Sequence, residues 1–153
     1  MRDLATLIFG VPIAERKVRA QVVALIRLRD VHSARAVMSE NLEHITGKSG
    51  ALLQAQGLFV VVAAFLLTQG WPKALALAAI VLLTVSALAI LTNLRTVLID
   101  TTMPQKRGRD MEIEIVVKTA RLGARRAAVF NIALYLTFLS ILLIGMAAVS
   151  LLR

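Results

Sequence analysis

The chain has 153 residues, 58% of them hydrophobic, and a mean hydropathy of +0.78. Soluble domains are about half apolar, so this composition argues against a soluble globular protein. The net charge is +9, and the absence of cysteine from the sequence excludes disulfides, thiolate metal sites and a cysteine nucleophile.

Residues 1–48 carry charges throughout together with a helical apolar pattern. Apolar side chains recur at spacings of three, four and seven from Val18 to Ile45, which is the periodicity of one helix face. The stripe rotates near residues 29–34, so either one helix or two fits the pattern. An apolar stripe of this length needs a partner, and the candidates are another subunit, the membrane surface or a second charged segment.

The stretch HITGKSGALLQAQG contains Gly47, Lys48 and Ser49, which resemble the end of a phosphate-binding loop. Such a loop needs a glycine five residues before this triplet, where the sequence has Leu42, and it needs a preceding strand. The sequence indicates neither, so the phosphate-loop interpretation is rejected.

We interpret the same stretch as the polar entry to a membrane span, which we call the membrane lip. Lys48 extends towards the lipid headgroups, and Ser49 permits close approach of a neighbouring helix. Gln54 and Gln56 follow one to two turns further inside. Their amides need partners in a helix bundle or in a wet vestibule, because lipid would leave them unsatisfied.

Three blocks contain no Asp, Glu, Lys or Arg: residues 50–68, 74–94 and 127–152. A helix needs about 20 residues to cross about 30 Å of hydrocarbon, and these blocks meet that length. The sequence therefore predicts an all-α integral membrane protein with three transmembrane helices and with long N-terminal and middle cytosolic amphipathic helices. The predicted domains are a cytosolic amphipathic helical region at 1–48, a transmembrane hairpin at 49–94, a cytosolic loop and basic helix at 95–126, and a third transmembrane helix at 127–153.

The positive charges indicate the orientation. Sixteen of the 18 Lys and Arg residues lie in residues 1–48 and 95–126. Such segments resist translocation, so we expect a cytosolic N-terminus and, after three spans, a C-terminus outside. The same residues favour anionic lipid headgroups as partners. They are not interleaved with aromatic residues and form no recognisable binding module, so no nucleic-acid partner is predicted.

The middle charged segment ends in a basic helix. The alternation from Met111 to Ile115 has the period of a strand, but no second strand is evident to pair with it, so we predict a helix. Basic residues recur along one face of this helix, and guanidinium groups suit phosphate contacts. If this face meets the basic residues of the first segment, the two form a phosphate site; headgroup binding is the alternative. The predicted ligand-binding residues are Arg16, Lys17, Arg19, Lys118, Arg121 and Arg125.

Polar side chains occur along two of the spans. They are Asn131, Tyr135, Thr137 and Ser140 in the third span and Thr84, Ser86, Thr92 and Asn93 in the second. These residues either face a pore or hold helices together, and helix packing is favoured. No block contains a carboxylate, a basic residue or a histidine, so the relay groups of a proton-coupled carrier are missing from the spans.

No pattern for catalysis or metal binding is present in the sequence. His32 and His44 are twelve residues apart and belong to no recognised ligand pattern. No nucleophile is spaced with a base. We therefore predict that the protein is not an enzyme and has neither a cofactor nor a metal.

The order of these segments resembles a known family. A cytosolic helix, the lip GKSGALLQAQG, two close spans, a basic cytosolic helix and a last span are similar to the small transmembrane effectors of bacterial Pycsar anti-phage defence. The resemblance implies a bacterial inner-membrane protein that responds to a cyclic pyrimidine nucleotide and impairs the membrane. Lys48 and its small neighbour Ser49 are the positions that carry over.

The favoured hypothesis is thus a non-enzymatic, self-associating membrane effector that senses a cyclic nucleotide through its cytosolic helices. The alternatives are a structural or accessory subunit of a larger membrane complex and a small oligomeric channel.

Overall fold

The computed structural model of the chain describes residues 15–28, 30–69, 73–95 and 109–151. They form four helices: α1 (Glu15–Leu28), α2 (Val31–Thr68), α3 (Lys73–Arg95) and α4 (Arg109–Leu151). The described residues contain no strand, so the all-α prediction is confirmed, and Met111 to Ile115 are helical as expected. The loop predicted before the basic helix lies outside the described residues.

Three of the helices are long and apolar enough to cross a membrane. The candidate spans are Val31–Thr68, Lys73–Thr92 and Met111–Ser150, which overlap the three predicted blocks. Only 11% to 28% of each apolar stretch is buried inside the protein. The prediction of a multi-pass membrane protein is therefore confirmed at the level of helix number, length and composition.

The N-terminal charged segment contains two helices rather than one, because one helix ends at Leu28 and the next begins at Val31. The backbone N–H of Ser33 donates a hydrogen bond to Asp30 Oδ1 at 2.6 Å, and the N–H of Ala34 donates to the Asp30 carbonyl at 3.1 Å. Asp30 thus caps the N-terminus of α2. The Ser33 hydrogen bonds stabilise the ionised carboxylate, so the pKa of Asp30 is lowered from its ordinary value.

The helices divide into two compact units. The first comprises the described part of Met1–Gly47 and of Arg95–Val129. Its core is formed by Val18 and Val22 of α1, Ala34 of α2 and Val116 of α4. The apolar stripe of the N-terminal segment therefore packs on the second charged segment of the same chain, which was one of the three candidate partners.

The second unit comprises the described part of Lys48–Leu94 and of Phe130–Arg153. Its buried positions are mostly small, such as Ala63, Ala79 and Ala133, whereas large side chains such as Phe65 and Phe138 are more than half exposed. Small residues let helix backbones approach closely where no aqueous hydrophobic effect drives association. The unit thus has small side chains inside and large apolar side chains outside.

Candidate functional site

The first unit contains a cavity of about 270 Å³ between α1, α2 and α4. The space exists because small residues of α4 form one wall of the cavity. A Cβ atom added at Gly123 would meet no other heavy atom within 4 Å. The lining residues are Val18, Gln21, Val22, Met38, Asn41, Ile45, Thr119, Ala120, Gly123, Ala124 and Ala127.

The polar groups on this cavity wall are neutral. Gln21 and Asn41 contribute amides that can donate and accept hydrogen bonds. Thr119 donates its hydroxyl proton to the carbonyl of Ile115 at 3.0 Å, so its oxygen remains able to accept. The cavity is suited to an uncharged, partly apolar group with hydrogen-bonding edges, such as a heterocyclic ring.

The predicted basic residues of α4 do not line this cavity. Lys118 and Arg125 are exposed and Arg121 is half-buried. At 100° per residue they project from the side of α4 opposite Gly123 and the other cavity-lining residues. The cavity and the predicted phosphate site are therefore different places in the first unit.

The predicted basic residues of α1 also lie away from the cavity. Arg16, Lys17 and Arg19 are exposed. Arg16, Arg19 and Arg27 follow one groove of about 670 Å³ along α1, and the described residues that line it all belong to this helix. The sequence prediction missed Arg27, although its spacing of eleven residues, three helical turns, from Arg16 places both on one face.

The triplet that resembles a phosphate-binding loop lies inside a continuous helix. Gly47, Lys48 and Ser49 belong to α2, so they do not form the strand–loop–helix geometry that such a loop requires. Lys48 is exposed, whereas Ser49 is buried.

A buried arginine that the sequence prediction missed lies in the first unit. Arg126 is only 3% exposed, and its Nη1 donates a hydrogen bond to Thr46 Oγ1 at 3.2 Å. The Thr46 hydroxyl in turn donates to the carbonyl of Leu42 at 2.9 Å. This bond ties α4 to α2 within the unit. In the sequence Arg126 is only the last residue of a basic run, so no local signal distinguishes it from Arg125.

Three polar side chains, one from each spanning helix, meet inside the second unit. Gln56 Nε2 donates hydrogen bonds to Ser86 Oγ and to Thr137 Oγ1, both at 2.7 Å. The hydroxyls of Ser86 and Thr137 both donate to the carbonyl of Ala133, at 2.9 and 2.8 Å. We call Gln56, Ser86 and Thr137 the polar node.

The other polar residues predicted for the spans take different positions. Gln54 is exposed, and Tyr135 is 65% exposed. Ser140 is buried, and its hydroxyl donates to the carbonyl of Leu136 in its own helix at 2.8 Å. Asn131 is half-buried. Of the predicted packing or pore residues, Ser86 and Thr137 join the node.

The described residues contain no group of three or more His, Asp or Glu side chains that could hold a metal ion. His44 lies 3.6 Å from Glu40 one turn earlier on the exposed surface of α2, an ordinary pair at helical spacing. Polar side chains of three helices meet at the cavity of the first unit and at the polar node of the second. The chain matches no protein-family model, no curated protein and no solved structure.

Proposed function

We propose that the protein is a non-enzymatic effector of bacterial anti-phage defence in the bacterial inner membrane. In this proposal the first unit lies in the cytosol and binds a small ligand, and the spans then reorganise and impair the membrane. The N-terminus is inside and the C-terminus outside, because the Lys and Arg residues concentrate in the segments that precede the first span and the third. Anionic lipid headgroups and further copies of the chain are the expected partners.

The observation that carries this proposal is the continuity of two helices. α2 runs without interruption from Val31 to Thr68, and α4 from Arg109 to Leu151, so each has residues in both compact units. The same two helices form walls of the cavity. A ligand that moves either wall therefore acts on a helix that is itself a candidate membrane span.

The cavity supports a ligand of modest size. Small-molecule sites are usually about 300–1,000 Å³, so a volume of about 270 Å³ favours a single ring system over a larger ligand. A cyclic mononucleotide, the ligand class implied by the Pycsar resemblance, meets this limit better than a cyclic dinucleotide does. Its base would lie against the amides of Gln21 and Asn41, with its phosphate directed out of the uncharged cavity.

The test is a thermal-shift measurement on the detergent-solubilised protein with cyclic CMP, UMP, AMP and GMP and with a cyclic dinucleotide. A ligand at 100 times its Kd stabilises the bound protein by about 2.7 kcal/mol, so we expect one mononucleotide to raise the Tm by about 5 °C or more. A flat response to the whole panel would contradict the proposal.

Two glycine variants locate the site. Gly123→Leu places a side chain in the cavity, so we expect it to abolish the shift, and it should itself stabilise α4 by roughly 1 kcal/mol because glycine is a poor helix former. Gly145→Leu makes the same change at an exposed position of α4 and should leave the shift intact. A shift that survives Gly123→Leu and is lost in Arg121→Ala or Arg125→Ala would place the ligand on the basic face instead.

A second candidate function is a structural or accessory subunit of a larger membrane complex. It is favoured by the many large apolar side chains exposed in the second unit, which partner helices can cover as well as lipid can. An accessory subunit should co-purify with other membrane proteins and be harmless when expressed alone. The proposed effector should associate with itself and become toxic when its ligand is present.

A further inference from the structure

The polar node leaves one buried atom without a hydrogen bond. Both N–H groups of Gln56 are used on Ser86 and Thr137, and both hydroxyl protons are used on the Ala133 carbonyl. The atom that remains is Gln56 Oε1, which is buried and has no donor among the described residues. Gln56 is only 1% exposed, so bulk water does not reach it in this arrangement.

An unsatisfied carbonyl oxygen is unfavourable in such surroundings. The apolar buried residues of the second unit, such as Ala63, Ala79, Leu83 and Ile90, offer no side-chain donor. The buried Ser140 hydroxyl donates to the carbonyl of Leu136 in its own helix. A water molecule beside Gln56 would supply the missing hydrogen bond, and it would also find free lone pairs on the two hydroxyl oxygens. Admitting water is therefore less costly at the node than in the apolar layers of the same unit.

We propose that the polar node is a hydration site at which the three spanning helices part and admit water into the bundle. The three side chains come one each from α2, α3 and α4, so a water molecule that replaces their mutual hydrogen bonds loosens all three helices together. This inference deepens the proposed effect on the membrane. Its test needs no ligand, so an experiment that contradicts the hydration site can be distinguished from one that contradicts the ligand response.

The substitution Gln56→Met distinguishes between two interpretations of the node, a hydration site and a simple packing contact. Methionine has a similar length and no strong hydrogen-bonding group, and Ser86 and Thr137 would keep their bonds to Ala133. If the node only holds helices together, removing Gln56 loosens the bundle and water enters faster. If the node admits water, removing the unsatisfied amide makes the interior dry and water enters more slowly.

The experiment measures the reaction of a single buried cysteine with a water-soluble maleimide in proteoliposomes. The chain has no cysteine, so Ala133→Cys, at a fully buried position beside the node, supplies the only thiol. We expect this thiol to react, and Gln56→Met to slow the reaction by about tenfold, in line with the loss of one unsatisfied buried group.

Gln54→Met is the matched control, since Gln54 lies on the same helix but is exposed. It should change the rate by less than about twofold, as is usual for surface substitutions. An unreactive thiol in the parent, or a rate that is unchanged or faster in Gln56→Met, would overturn the proposal. If Gln56→Met does not fold, Gln56→Leu takes its place: leucine also lacks a hydrogen-bonding group, so the reaction should again be slower, and an unchanged or faster rate would overturn the proposal.

Discussion

Gln54 and Gln56 carry the same side chain two positions apart, yet one is exposed and the other is buried. Two residues correspond to 200° around a helix, so the two amides must lie on nearly opposite faces. The buried amide has found two hydroxyl partners on other helices, whereas the exposed one contributes nothing to the interior. At the residue scale, position on the helix face decides which polar group in a span is structural.

Replacing a hydroxyl of the polar node should be more harmful than replacing a hydroxyl on the outer surface. Ser86→Ala removes the acceptor of one buried Gln56 N–H, so we expect the free energy of unfolding to fall by about 1–3 kcal/mol. Thr84 lies two residues earlier on α3, is exposed, and donates to the carbonyl of Ile80 in its own helix. Thr84→Ala should therefore cost less than about 0.5 kcal/mol. Reversible unfolding in mixed micelles measures both values, and equal losses would show that the node is not a stabilising contact.

At the element scale, the break between α1 and α2 turns the N-terminal segment into a pair of helices. The apolar stripe on α1 packs with Ala34 of α2 and Val116 of α4, a core that one straight helix could not form. Asp30 caps the N-terminus of α2, which fixes where this helix begins. The break also leaves α2 as a separate helix that begins at Val31 and runs on to Thr68.

The cap should make the stability of α2 depend on pH. The pKa of Asp30 is lowered in the folded protein, so its ionised form stabilises the fold above the unfolded pKa, and this contribution disappears as the pH falls through the lower, folded pKa. Asp30→Ala should thus lower the Tm at pH 7, and the difference from the parent should shrink below about pH 4. Ser39→Ala, at an exposed position of α2 that carries no titratable group, is the control and should show no such pH dependence. A Tm difference for Asp30→Ala that stays constant from pH 7 to pH 3 would contradict the capping account.

For the molecule as a whole, the three spans could be predicted from the sequence, whereas the cavity and the polar node could not. Uncharged blocks of about 20 residues are a local property, so the three long apolar helices could be predicted directly. The cavity could not, because Gln21, Asn41 and Thr119 lie on three helices that come together only in the fold. The same holds for Gln56, Ser86 and Thr137, whose separations of 30 and 51 residues carry no periodic signal.

The predicted phosphate residues illustrate the same limit. Helical spacing correctly indicates that Lys118, Arg121 and Arg125 share one face of α4, since such spacing follows from the helix itself. The spacing of these residues does not indicate which face of α4 lies towards α1. In the fold the small residues at Ala120, Gly123 and Ala124 line the cavity, and the basic residues project from the other side.

In the proposed function, a small ligand bound in the first unit causes the spans to permeabilise the membrane. The most direct test is the release of a trapped fluorescent dye from proteoliposomes when cyclic CMP, UMP, AMP or GMP is added. We expect rapid release with one of these nucleotides, loss of the response in Gly123→Leu, and a normal response in Gly145→Leu. Dye retention with every nucleotide, or release that is the same with and without nucleotide, would contradict it.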